Sequence, residues 1–262
     1  MSWCLFPPQT KEVQLDEKWG FVRKKEAKCD EDEPLDCLRG DNWDHTAIDA
    51  ESRLLISLVA GKRTKENCCK IVEDVKRCTG GRTDILITTD EHAPYTSAIQ
   101  QVYGKDVERT ESLVIECESE PKKEMPKDLC YATVHKRREK GRVVEIIRTV
   151  VFGTIDVLKS LLARSRVSTT INTSFVERNN GTDRGKNSRK RRKTYCFSKE
   201  WEIHNMASYF IGFSYNFCWP VRTLRIEDID GHWQQRTPAM AAGLSDHIWS
   251  IEEWITYPVR GS

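Results

Sequence analysis

The sequence predicts an α/β fold built on a mixed sheet, and three observations lead to this prediction. Residues 12–24 alternate apolar and polar side chains as a strand does, and residues 43–49 and 53–60 form a hairpin. Helical spacing of apolar residues follows Thr64, and a short apolar run, residues 85–87, is typical of a parallel central strand. We therefore expect three antiparallel strands, then parallel strands, with helices on the faces of the sheet.

The first predicted strand carries an acid in its interior. Asp16 lies on the strand face opposite Trp19 and Phe21. Aspartate is depleted inside strands, so this position has either a functional role or a solvated place on an edge strand.

A second acid, Asp90, follows the predicted parallel strand at residues 84–89. Ligand sites of open α/β sheets collect at the carboxyl ends of such strands, which makes Asp90 a candidate ligand. An ordinary loop aspartate or a cap of the helix predicted for residues 94–103 is the alternative.

The later part of the chain divides into an insertion, further elements of the domain and an extension. Residues 105–130 form an inserted charged segment, and a hairpin and helices follow. Ser198 is the expected cap of a long helix. We expect a tail at residues 1–11, one catalytic domain at 12–220, and a C-terminal helical extension of unknown role at 221–262.

A third acid, Glu177, lies in residues 173–193, directly upstream of a dense set of basic and amide residues. A carboxylate beside many cations suits a group that holds a metal ion against a nucleic-acid phosphate. A solvated basic run is the alternative reading. The candidate DNA-binding residues are Arg178, Asn180, Arg184, Arg189, Lys190, Arg191, Arg192 and Lys193.

Composition limits the possible partners and compartments. The net charge of the 262-residue chain is only +2, so any nucleic-acid contact must come from local patches. The ten cysteines lack zinc-ligand spacing, and we expect reduced thiols. Neither a signal peptide nor a membrane span is recognisable, which favours a cytoplasmic protein, nucleoid-associated when it is on DNA.

Five segments together resemble the insertion-sequence-one family of bacterial DDE transposases, whose catalytic domain is ribonuclease-H-like. They are LDEKWGFV with Asp16, AIDAESRLLISLVAGKRT, TTDEHAPY with Asp90, FVERNNGTDR with Glu177, and RKRRKTYCFSKEWEIH. The resemblance implies that Asp16, Asp90 and Glu177 are a catalytic triad that binds Mg²⁺ or Mn²⁺, with two ions expected. It also implies cleavage and strand transfer of an insertion-sequence element.

Two departures from the family pattern bear on DNA recognition. The family usually carries a DNA-reading region before the catalytic domain, whereas the first strand here begins near residue 12. The interval between Asp90 and Glu177 is longer than in compact members, and the charged insertion accounts for the excess. We therefore expect an upstream-frame protein to read the element ends, and a homo-oligomer to form on element-end and target DNA without any membrane partner.

Two other functions stay open at this point. A ribonuclease-H-like nuclease would cut without strand transfer, and a truncated or catalytically silent relic of a mobile element would bind DNA only.

Overall fold

A central six-stranded mixed sheet organises the chain in the computed structural model, which describes residues 9–106, 123–191 and 193–257. Its strands are β1 Glu12–Val22, β2 Gly40–Asp49, β3 Leu55–Gly61, β4 Leu86–Thr89, β7 Cys130–Glu139 and β8 Arg142–Phe152. The strand order is β3-β2-β1-β4-β7-β8. Strands β1 to β3 are antiparallel, β1, β4 and β7 are parallel, and β8 is antiparallel to β7. Two short ribbons pair β5 Lys105–Asp106 with β6 Lys123–Glu124, and β9 Ile226–Glu227 with β10 Trp233–Gln234.

Helices cover both faces of this sheet. The helices are α1 Lys65–Cys78, α2 Ala93–Tyr103, α3 Ile155–Arg164, α4 Ser174–Lys186, α5 Trp201–Cys218, α6 Pro238–Ala241 and α7 Ile251–Thr256. One face packs on α1 and α2, and the opposite face packs on α3, α4 and α5. Alternate residues of the strands supply the two cores: Val13 and Leu15 join the first, whereas Ile48 joins Val176 and Phe213 on the second.

A buried glutamine of β1 positions the start of α4. The Gln14 side-chain oxygen accepts hydrogen bonds from the backbone N–H groups of Phe175 and Val176, at 3.0 and 3.2 Å. Its amide nitrogen donates to Asn172 Oδ1 at 3.1 Å. These bonds satisfy N–H groups that have no partner within the first turn of a helix. They hold α4 against the β1 face that carries Asp16.

The α/β class and the mixed sheet are confirmed, and one predicted boundary is wrong. The long helix α5 begins at Trp201 with Glu200 as its N-cap, not at Ser198. Ser198 instead forms a bridge with Val22 of β1, and its hydroxyl lies 2.8 Å from His204 Nδ1. A tertiary contact thus replaces the local capping role.

The charged insertion and the C-terminal extension are described in part. Residues 107–122 of the insertion lie outside the described residues, and the flanking pieces pair as β5 and β6. Residues from the extension pack on the end of α5, where Ala239 and Trp254 contact the cluster of Phe217. The extension therefore shares a small core with the domain.

No helix in the described ranges is both long and apolar enough to cross a membrane.

One cysteine differs from the expectation of reduced thiols. Cys78 is disulfide-bonded. The free thiols in the described ranges are Cys29, Cys37, Cys68, Cys69, Cys130, Cys196 and Cys218.

Candidate metal centre

Two of the predicted acids meet at the centre of the sheet. Gln14 of β1 pairs with Thr88 of the parallel strand β4, so Asp16 and Asp90, each two residues further along, lie at one level. Ligand oxygens of Asp16, Asp90 and the neighbouring Glu17 all lie within 4.8 Å of one another. This close group of carboxylates is an arrangement that a divalent cation can hold together.

Asp16 is partly shielded from solvent and surrounded by negative charge. It accepts hydrogen bonds from Asn180 Nδ2 at 2.9 Å and from the backbone N–H of Glu17 at 2.8 Å. Burial and then the charge of Asp90 raise the pKa of Asp16 to about 6, with a smaller contribution from Glu177. The two hydrogen bonds fix the orientation of the carboxylate without neutralising it.

Glu17 is a site residue that the sequence analysis missed. Its side chain is only 1% exposed, and its Oε2 accepts a bond from Arg63 at 3.0 Å. Burial and the charge of Asp90 raise the pKa of Glu17 to about 7. A second acid directly after Asp16 in a buried strand was the available signal.

Glu177 lies on the wall of the same site but outside the close group. It lines an open cleft of about 400 Å³ together with Asp90 and Lys136. Thr173 donates a hydrogen bond to Glu177 Oε1 at 2.6 Å, and the Lys136 ammonium forms an ion pair with the same oxygen. The structure therefore brings Asp16 and Asp90 together, and places Glu177 beside them with a cation as its partner.

Basic side chains and histidines also line the cleft, and the sequence analysis did not identify them. Arg63, His92 and His135 line it along with the residues already named. His135 Nδ1 lies 2.7 Å from Glu91 Oε2, and the backbone N–H of His92 donates to Asp90 Oδ1 at 3.1 Å. These residues come from three separate parts of the chain, so no local sequence pattern marks them as neighbours.

Lys190, predicted to contact DNA, faces the interior instead of solvent. Its side chain is 1% exposed, and its ammonium contacts Asp44 and the Ser208 hydroxyl, the latter at 2.5 Å. A short 3-10 turn at Ser188–Lys190 directs it inward. The expectation of a solvent-facing cation is wrong for this residue.

Asn180 is also buried, with its two polar atoms engaged inside the protein. Its amide nitrogen donates to Asp16, and its oxygen accepts from Thr46 Oγ1 at 3.2 Å. We assign it to orienting Asp16 rather than to contacting DNA.

The remaining candidate cations lie nearer the surface. Arg178, Arg191 and Lys193 are exposed, whereas Arg184 and Arg189 are partly buried. Arg192 lies outside the described residues. The DNA contacts assigned to these cations stay predictions.

Comparison with protein families and with curated proteins identifies no relative. No protein-family model matches the chain, and no curated protein matches it. The resemblance to transposases therefore rests on the segments quoted above.

Proposed function

We propose that the protein is a DDE-type DNA transposase that cleaves DNA and transfers strands of an insertion-sequence element. The observation that carries the proposal is the meeting of Asp16, inside β1, with Asp90, at the end of the adjacent parallel strand β4, and the position of Glu177 on the same cleft. The mixed sheet is compatible with a ribonuclease-H-like fold.

The donor set fits Mg²⁺ or Mn²⁺. Asp16, Glu17 and Asp90 provide only oxygen ligands, which hard divalent cations prefer. Burial, and then the charge of Asp90, raise the pKa of Asp16 and of Glu17, so a bound cation would favour the ionised form of both carboxylates. Two bound divalent ions would activate the attacking oxygen and neutralise charge on the transferring phosphoryl group.

The protein groups around the carboxylates have distinct roles in this proposal. Asp16 and Asp90 present ligand oxygens, and Asn180 keeps the Asp16 carboxylate in place. Lys136 pairs with Glu177 on the wall of the cleft, and we assign its ammonium a contact with a DNA phosphate. Arg178, exposed beside Glu177 on α4, is a further phosphate contact.

Recognition of element ends forms a separate part of the proposal. Phosphate contacts position DNA without reading its sequence, and sequence is read at base edges. We assign the reading of element ends to an upstream-frame protein and the joining of two ends to a homo-oligomer of this chain.

The test uses a duplex with a free 3′ hydroxyl, taken from the DNA that flanks the coding frame, and a supercoiled plasmid target. We expect joined product with Mg²⁺ or Mn²⁺, and its loss in Asp90→Ala and Glu177→Ala. Asp32→Asn, at an exposed acid, is the matched control. Cleavage without any joined product would instead identify a nuclease. DNA binding with neither product would identify a non-catalytic relic.

A further inference from the structure

A second group of metal-ligand side chains lies beneath the carboxylate cleft. Glu17 of β1, His45 of β2 and Cys68 of α1 are all buried, and one ligand atom of each lies within 4.8 Å of the others. Cys68 Sγ and His45 Nδ1 are 4.0 Å apart. Three elements that are distant in sequence thus bring a carboxylate, an imidazole and a thiol to one point.

The Glu17 carboxylate is only half satisfied within this group. Its Oε2 bonds to Arg63, whereas its Oε1 is buried and has no hydrogen-bond partner in the described part of the chain. A buried acceptor without a partner destabilises the folded state, and more strongly when it is charged. His92 Nε2, also buried and without a hydrogen bond to any described residue, lies 3.8 Å from this oxygen. The unsatisfied atoms indicate that a ligand completes the site.

The imidazole of His45 is oriented as a metal ligand. Its Nε2 faces the Lys62 carbonyl oxygen at 3.4 Å, which favours the tautomer with the proton on Nε2. Metal-bound histidines commonly donate their other ring N–H to such a carbonyl, which fixes the ring. The Nδ1 lone pair is then directed towards Cys68.

We propose that Glu17, His45 and Cys68 form a binding site for Zn²⁺ or a similar thiolate-binding transition metal, which shares Glu17 with the proposed Mg²⁺ site and adds a nitrogen and a sulfur donor. Zinc takes this mixture of sulfur, nitrogen and oxygen donors, at about 2.3 Å from sulfur and about 2.0–2.1 Å from nitrogen. A tetrahedral ion would bring Sγ and Nδ1 to about 3.5 Å apart, a small shift from the 4.0 Å observed.

Binding would release the thiol proton of Cys68 and link β1, β2 and α1 through one ion. His92 offers a fourth ligand nitrogen beside Glu17. Glu17 also belongs to the carboxylate group of the cleft. The bound ion would therefore fix the position of the Glu17 carboxylate from the interior side of the cleft. The inference goes beyond the proposed function, since it needs neither DNA nor catalysis.

Cobalt provides a direct probe, because thiolate-bound Co²⁺ has a charge-transfer absorption band that oxygen-bound Co²⁺ lacks. Reduced, metal-free protein is titrated with CoCl₂ in the presence of excess MgCl₂, which occupies sites made only of carboxylates. We expect a thiolate band that saturates at one equivalent and disappears on addition of ZnCl₂.

Two single-atom variants test the assignment. Cys68→Ser should abolish the band, whereas Cys69→Ser should retain it, since Cys69 Sγ faces Gln101 Oε1 at 3.6 Å instead. His45→Gln is the second ligand variant, to be used if Cys68→Ser does not fold, and it should lose most of the band. Absence of the band in the wild-type protein, or its persistence in Cys68→Ser, would overturn the proposal.

Discussion

Asp16 and Lys18 stand two residues apart on one face of β1 and have opposite electrostatic surroundings. Asp16 is close to Asp90 and Glu177, and within the described residues no ion pair joins it to a cation. Lys18 lies 3.4 Å from Asp44, also pairs with Asp183, and shares Asp44 with Lys190. The surroundings of Asp16 are therefore mainly negative, whereas the surroundings of Lys18 contain both positive and negative groups.

The difference separates a ligand site from a structural ion network. Burial lowers the pKa of both lysines, and Asp44 and Asp183 provide the opposing charge that keeps ammonium groups stable in the interior. In the cleft, Glu17 pairs with Arg63 and Glu177 with Lys136, but Asp16 and Asp90 form no ion pair with a cation among the described residues. The cleft therefore retains negative charge that a bound cation can relieve. Both groups contain many charges, but only the carboxylate group carries an excess of negative charge that favours binding of a divalent cation.

The largest expected effect on stability comes from removing Lys190 from the buried ion pairs around Asp44. Lys190→Met leaves Asp44 buried beside Lys18 with one ammonium lost, and we expect a decrease of about 3–5 kcal/mol in the free energy of unfolding. Denaturant unfolding measures this decrease. Lys193→Ala, at an exposed cation of the same segment, should change it by less than about 0.5 kcal/mol. Equal effects of the two variants would contradict the assignment of Lys190 to the interior.

Removing a negative charge from the cleft should increase the free energy of unfolding instead of decreasing it. The pKa of Asp16 is raised from 3.8 to about 6, so its ionised form opposes folding at pH 8. Asp16→Asn should therefore stabilise the metal-free protein by about 1–2 kcal/mol, after allowance for solvent screening, while abolishing DNA cleavage. Thermal unfolding at pH 8 measures the gain, and Asp32→Asn is the exposed control. A loss of stability would show that the carboxylates are already neutralised.

The same imbalance predicts a dependence of cation binding on pH. Asp16 and Glu17 have pKa values raised to about 6 and about 7, so they bind protons in the folded state that the unfolded chain has released. Their contribution to stability therefore falls as pH rises from about 4 to about 7. Because Mg²⁺ competes with those protons, its stabilising effect should be about 1 kcal/mol larger at pH 8 than at pH 5.5. Unfolding with and without Mg²⁺ at both pH values measures it, and an equal effect would contradict the prediction.

The smallest expected effect concerns Lys136, the cation that pairs with Glu177. Lys136 and Glu177 have side chains that are 25% and 41% exposed, so the pair contributes little to stability. Lys136→Ala should free Glu177 and strengthen Mg²⁺ binding about two- to fivefold, as calorimetry would show. Arg137→Ala is the control, because Arg137 pairs with Glu139 and Glu145 on the hairpin. Unchanged Mg²⁺ affinity in the Lys136 variant would exclude Glu177 from the metal site.

Local patterns in the sequence determined the sheet and two of its acids. Alternation identified the first strand, and a short apolar run identified the parallel strand that ends before Asp90. These signals are readable because side-chain direction repeats every two residues along a strand. The position of Asp16 beside Asp90 then follows from pairing two strands in parallel. The family resemblance and its chemistry stay predictions.

Only the tertiary structure decided which charges are balanced. Lys190 meets Asp44, Lys136 meets Glu177, and Glu17 meets His45 and Cys68 across intervals with no sequence periodicity. A basic run looks the same in sequence whether its members face solvent or a buried carboxylate, because ion pairing and desolvation depend on distance in space. The sequence alone thus identified the strands and the charged residues, and the packing of α4, α5 and β7 on those strands determined which of the charges meet.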